Sequence, residues 1–114
     1  MDDPRERWLH GVLGVLVLSC LTRGDLDGPE IAHRIASTGL DRPRGALLYP
    51  ELNRLEENGM VTGTIRTAGD GTEPCHYRLT RLGRGVLDHR RGLLLGFDRA
   101  VHALLPAEDV GEKR

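Results

Sequence analysis

Aromatic side chains are scarce in this chain: Trp8, Tyr49, Tyr77 and Phe97 are the four among 114 residues. Aliphatic residues must therefore build its core, and this length supports one modest core and no more. Lysine is nearly absent, since fifteen of the sixteen cationic residues are arginine. Arginine suits bidentate contacts to phosphate or guanine, and an arginine-rich genome leaves the same trace. A formal net charge of −1 gives no general attraction to polyanions but allows a local basic face. Two cysteines, Cys20 and Cys75, make no disulfide framework; Cys20 falls in an apolar helix and Cys75 on the inward side of a strand, where a thiol acts as a small hydrophobe. The apolar run at residues 11–18 is too short to span a bilayer. Mixed charge precedes it and no cleavage-like site follows, so a cytoplasmic protein is expected. Internal repeats and low-complexity segments are lacking.

Catalytic signatures are lacking as well. There is no nucleophile elbow, phosphate loop, paired-carboxylate pocket or zinc pattern, so neither an enzyme nor a cofactor is expected. His76 adjoins Cys75, but neighbours on a strand point to opposite faces and do not easily share an ion. His10, His33, His89 and His102 have no ligand-like spacing, so no metal site is expected either.

What the chain does have is concentrated between residues 45 and 80. Leu48, Leu52 and Leu55 fall on one helical stripe that buries a single face. Ala46, Pro50, Asn53 and Arg54 make a small or polar opposite face. Proline costs about 3 kcal/mol inside a helix, so Pro50 requires a start close by, near Ala46 or Leu47. Gly59 sits where a left-handed cap stops the helix. Val61 and Ile65 then alternate with Thr62, Thr64 and Arg66, and Cys75, Tyr77 and Leu79 repeat the period with His76 and Arg78 on the other face. A helix feeding a hairpin in this way is the plan of a winged helix-turn-helix, whose second helix enters the DNA major groove. The fold class is thus mainly α with a small β-hairpin wing.

The flanking segments complete that plan. A first helix reads from about residue 5 to 21 and is apolar nearly all round, so it needs cover on several sides. Residues 23–27 form a turn, and Asp27 with Glu30 makes a capping box for a second helix that carries Ile31, Ala32 and Ile35 and ends at Gly39. Thr80 caps a last helix reaching about residue 105, in which Leu94, Phe97, Val101 and Leu104 have heptad spacing. The expected organisation is a winged helix-turn-helix over residues 1–80, a dimerisation helix over 81–105 and a charged, flexible tail at 106–114.

Three stretches resemble the PadR-type transcriptional regulators in the right order and spacing. They are LLYPELNRLEENGMV at 47–61, DGPEIAHRI at 27–35 and YRLTRLGR at 77–84. The resemblance implies a homodimeric, usually repressing, DNA-binding protein with its first and last helices at the dimer interface. Trp8, Val12, Leu16, Leu94, Phe97, Val101 and Leu104 are the residues of that interface. Family effectors bind near such seams, which makes an apolar or aromatic small molecule the expected ligand. Trp8 and Phe97 also fit a simple space-filling role. The departures lie in the wing tip, Gly71-Thr72-Glu73-Pro74, where relatives are often basic, in Leu47, where they often carry serine or threonine, and in Pro29, where the family has tyrosine. Glu73 repels phosphate, which shifts electrostatic binding onto Arg42, Arg44, Arg54 and Arg66.

The resemblance also implies that Tyr49 contacts phosphate; a core role is the alternative, but Tyr49 flanks the leucine stripe rather than joining it. The reading helix, residues 47–58, directs its N-terminal end to the bases, with Ala46, Leu47, Pro50, Asn53 and Arg54 as candidate contacts. Arg66, His76 and Arg78 are either backbone contacts of the wing or ordinary solvated strand charges. The expected partner is a roughly palindromic duplex operator. The expected function is a repressor relieved by an effector, the alternative being a winged-helix interaction module that has lost strong DNA binding.

Overall fold

A computed structural model describes residues 4–65 and 75–106. Helix α1 (Pro4–Cys20) leads through a 3-10 turn (Leu21–Arg23) into a two-residue strand β1 (Leu26–Asp27). Helices α2 (Gly28–Ala36) and α3 (Gly45–Glu57) follow, then strands β2 (Val61–Ile65) and β3 (Cys75–Leu79), and finally the long helix α4 (Arg81–Leu104). The strands form one antiparallel sheet in the order β1-β3-β2. This is a winged helix. Arg66 and the wing tip at 67–74 lie outside the described residues, as does the charged tail from 107 onward.

The hairpin expected from the alternating pattern has a third strand. Leu26 pairs with Tyr77 and Asp27 with His76, so what reads as a turn at 23–27 is a 3-10 turn followed by an edge strand. Two residues are too few to show a period of two, and β1 exists only because β3 offers it an open edge.

Helix α2 begins as its sequence requires. Asp27 Oδ1 accepts from the Glu30 amide at 2.8 Å, and the Asp27 amide donates back to Glu30 Oε1 at 2.8 Å. Helix α3 begins at Gly45, slightly earlier than Pro50 suggests. The Arg44 carbonyl accepts from both Leu47 and Leu48 amides at 2.9 Å, which closes the first turn and leaves Pro50 as the sixth residue of the helix. The carbonyl that loses its donor to the proline is that of Ala46, on the exposed side.

Helix α3 stops in a Schellman arrangement. The Met60 amide donates to the Leu55 carbonyl at 2.9 Å and the Gly59 amide to the Glu56 carbonyl at 3.0 Å, with Gly59 at a φ of +77°. Thr80 ties this end to the start of α4. Its hydroxyl donates to the Gly59 carbonyl at 2.6 Å and accepts from the Gly83 amide at 2.9 Å, while its own amide donates to the Met60 carbonyl at 3.1 Å.

The core joins Leu13, Val17, Leu18 and Leu21 to Ile31 and Ile35, Leu48, Leu52 and Leu55, Met60, Val61, Tyr77 and Leu87. It covers α1 unevenly. Val12, Val15 and Leu16 stay half-buried and Trp8 is 61% exposed. Beyond Leu87, α4 leaves the core: Phe97 is 65% and Leu104 82% exposed, with Leu93, Leu94 and Leu95 exposed between Leu87 and Phe97. An extent of 61 Å along one axis, against 30 and 27 Å across, reflects this elongation.

Two glycines of α4 test the junction against each other. A Cβ on Gly83 would collide with the Met60 carbonyl and come within 2.9 Å of Leu79, whereas Gly85 has nothing within 4 Å. Gly83→Ala should therefore lose about 1–3 kcal/mol of stability by overpacking. Gly85→Ala should gain up to about 1 kcal/mol from helix propensity. Urea unfolding followed by circular dichroism separates them, and equal effects would count against the close approach.

Candidate nucleic-acid interface

Helix α3 is seated by Leu48, Leu52 and Leu55, each at most 2% exposed, and this turns Ala46, Pro50, Asn53 and Glu57 outward. Leu47 lies on the flank, half-buried against the core. The connection from α2 is anchored by buried Pro43 and leaves Arg42 and Arg44 exposed on either side of it. Together with the first turns of α2 and α3 this connection borders a cleft of about 310 Å³, lined in part by Gly28, Arg42, Arg44 and Tyr49.

Tyr49 neither joins the core nor stands free of it. Its ring lies across the start of α2, where a Cβ on Gly28 would be 2.7 Å from two ring carbons, and the residue remains 42% exposed. The two sequence readings of Tyr49 are therefore compatible. One side of the ring packs while the other faces the cleft.

Arg54 is exposed, as expected, but its guanidinium is engaged by a neighbour. It lies on the flank of α3 and chelates Glu51, with Nε at 3.1 Å from Oε1 and Nη2 at 2.6 Å from Oε2. Glu51 is the buried member of the pair, and the hydrogen bond to it raises the Arg54 pKa further. The pair faces α1 at Gly14, where an added Cβ would stand 2.7 Å from Glu51 Oε2 and 3.6 Å from Arg90 Nη1. Being four residues from Pro50 and three from Glu51 puts Arg54 between the wet and buried sides, and only tertiary packing decides which it serves.

The hairpin residues are also engaged. Arg78 is exposed, but its guanidinium reaches Asp25 Oδ2 at 3.1 Å, an ion pair that raises its pKa. Such a pair is worth little to stability in water, yet it offsets the arginine's charge toward phosphate. His76 is half-buried rather than outward, because β1 brings Asp27 opposite it. Ligand atoms of Asp27, Glu30 and His76 lie within 4.8 Å of one another, a grouping that the Cys75–His76 comparison does not anticipate. One oxygen of each carboxylate already serves the capping box, and the positive end of α2 opposes a cation there.

The pattern of the transcriptional regulator PadR-like family matches residues 17–89. The chain belongs to that family. A PadR-family transcriptional regulator from Eggerthella lenta DSM 2243 is 28% identical, with a TM-score of 0.76 over 86% of this chain and 85% of its own. A transcriptional regulator from Clostridium thermocellum, 24% identical, shares the fold over 88% of this chain and 96% of its own at a TM-score of 0.76. Bacillus subtilis PadR, solved in complex with operator DNA, is 28% identical with a TM-score of 0.63 over 68% of this chain and 45% of its own. Curated proteins give no match at a significant level. The PadR-like family is one of transcriptional regulators, not of enzymes. No helix among the described residues is long and apolar enough to cross a membrane.

Sequence reasoning missed Gly28, Glu51 and Asp25 in this PadR-like chain. Glu51 left a trace, since it stands between Leu48 and Leu52 on the buried stripe, where a carboxylate needs a partner. Gly28 left a fainter one: after a capping Asp27, the first helical position has no backbone need for glycine.

Tyr77 at the root of the wing supplies a pH test of this packing. Burial, followed by the neighbouring Cys75 thiol, pushes its hydroxyl up to about 12 from the usual 10. The fold thus favours the neutral phenol, while the unfolded chain ionises first. Its contribution is complete below about pH 10 and is lost as the pH rises toward about 12. Burial also raises the Cys20 thiol, which adds a loss in the same alkaline direction. Unfolding free energies measured from pH 9 to 12 should fall less steeply in Tyr77→Phe than in wild type. Matching slopes would mean that the phenol is not held neutral by the fold.

Proposed function

We propose that this protein is a homodimeric repressor that reads a roughly palindromic operator with α3 and is released by a small-molecule effector. The observation that carries the DNA reading is the outward stripe Ala46–Pro50–Asn53, held rigid by the three buried leucines beside Tyr49, Arg42 and Arg44. Asn53 has the groups to pair with a base edge, the small Ala46 and Pro50 allow close approach to the groove floor, and the arginines and Tyr49 suit the flanking phosphates. Arg66, His76 and Arg78 would serve the adjacent backbone, and the protein would act in the cytoplasm. Arg54 and Arg78 both carry carboxylate partners, so binding should depend on salt less than the number of arginines suggests.

The dimer reading rests on the uncovered apolar surface. Trp8 on α1 and Leu94, Phe97 and Leu104 on α4 are exposed, while Val12, Leu16 and Val101 are half-covered. A second copy would bury them, and dimer symmetry would set half-sites about one helical turn apart or a multiple of it. A cleft of about 510 Å³ between α1, α3 and α4, walled by Val15, Leu93 and Leu94 and including Arg54 and Arg90, supports an effector site. Neither Trp8 nor Phe97 lines it, so the ligand need not stack on either ring.

A mobility shift with the DNA upstream of the protein's own gene tests the first part. Asn53→Ala should lose about 1–3 kcal/mol in specific affinity if it meets a base. Tyr49→Phe should lose about 1–2 kcal/mol through its hydroxyl contact to phosphate. Wild-type affinity in both variants, with the fold intact by circular dichroism, would remove α3 as the reading element. Weak binding without preference for any site would favour the interaction-module alternative.

Sedimentation tests the second part. Wild type should run as a dimer at micromolar concentration, and Val101→Asp as monomer or insoluble chain, because it sets a charge in an apolar seam. A monomeric wild type would end the dimer reading.

A further inference from the structure

We infer that Gly28 is the positioning residue for Tyr49: the missing side chain at the first position of α2 lets the hydroxyl end of the tyrosine ring rest there and holds its hydroxyl for DNA. This rests on the reading that Tyr49 meets the operator. Gly28 is buried, and its φ is not in the left-handed region, so the backbone does not call for glycine. Alanine there would even favour the helix. The reason for glycine is steric. A Cβ would stand 2.7 Å from both Cε1 and Cζ of Tyr49 and closer still to its hydroxyl oxygen.

A second glycine touches the same ring and supplies a control. A Cβ on Gly45, at the start of α3, would be 3.5 and 3.6 Å from Cδ2 and Cε2, an ordinary contact. The ring is therefore lodged between the first turns of two helices and limited tightly on one side. Helix α2 cannot retreat from an added methyl, because Ile31, Ala32 and Ile35 are buried in the core behind it. The ring must swing out, toward the cleft bordered by Arg42 and Arg44. A hydroxyl already fixed in place loses little freedom on binding, whereas a displaced one misses its acceptor.

The test is a cycle of full-length Gly28→Ala, Tyr49→Ala and the double variant, with Gly45→Ala as control. Affinity is read by fluorescence anisotropy on a duplex of the upstream DNA and on a scrambled duplex. Gly28→Ala and Tyr49→Ala should each weaken specific binding to a similar degree, roughly ten- to a hundredfold for a charge-assisted contact. The double variant should be no weaker than Tyr49→Ala, and Gly45→Ala should match wild type. In wild type, nuclear Overhauser contacts should link the Tyr49 ring to the Gly28 α-protons. If Gly28→Ala fails to fold, adding Tyr49→Ala should restore folding, since the collision is gone; no rescue overturns the inference. Wild-type affinity in Gly28→Ala beside a weakened Tyr49→Ala overturns the positioning role and leaves the DNA reading standing. Wild-type affinity in Tyr49→Ala, or no preference of wild type for the upstream duplex, removes the DNA reading and this inference with it. Additive losses in the double variant mean that Gly28 acts by another route, which also overturns it.

Discussion

The seating of α3 on the core is the constraint from which the rest of the molecule follows. Leu48, Leu52 and Leu55 leave solvent almost completely, each contributing about 1.5–3 kcal/mol from burial. Their stripe sets the rotation of α3, and the rotation sets which residues stand outside. Ala46, Pro50 and Asn53 are wet because they lie opposite the leucines, and Tyr49 lies at the edge, where it leans on α2. A shift of one residue in the stripe would bury Asn53 and expose a leucine.

The orientation of α3 is transmitted to the wing and to α4 through one compact junction. Gly59 ends the helix, Met60 turns the chain back under Leu55, and Thr80 bonds to both Gly59 and Met60 while capping α4. Gly83 must be small because the Met60 carbonyl rests on it. The end of α3, the first strand of the wing and the start of α4 are therefore joined at one hydrogen-bonded, closely packed point. In a PadR-like regulator this junction is a short physical route between the outward face of α3 and the exposed apolar surface of α4.

Charge is arranged more sparingly than the arginine count implies. Glu51 engages Arg54 and Asp25 engages Arg78, so two of the arginines on α3 and the wing have their charge partly offset by neighbours. The Glu51 carboxylate is tucked against α1 at Gly14, a cost in desolvation that the bidentate pair offsets. What this pair contributes is orientation: it holds the Arg54 guanidinium along the flank of α3 that faces α1.

Much of the architecture was legible in residue order. Period-3.6 leucines, a capping box at Asp27 and Glu30, Gly59 after the helix, alternation on either side of the wing and Thr80 before α4 are local signals, and each acts within a few residues of itself. The family motifs reside in those same segments, so the winged helix and the PadR-like assignment were readable too. The engagement of Arg54, the half-burial of His76, the edge strand Leu26–Asp27 and the requirement for Gly28 were not. Each depends on a neighbour from another element: Glu51 turned against α1, β1 laid along β3, and the Tyr49 ring resting 21 positions away on Gly28. Periodicity tells which side of a helix is wet, but the flank belongs to whichever helix packs beside it, and that is a property of three-dimensional packing.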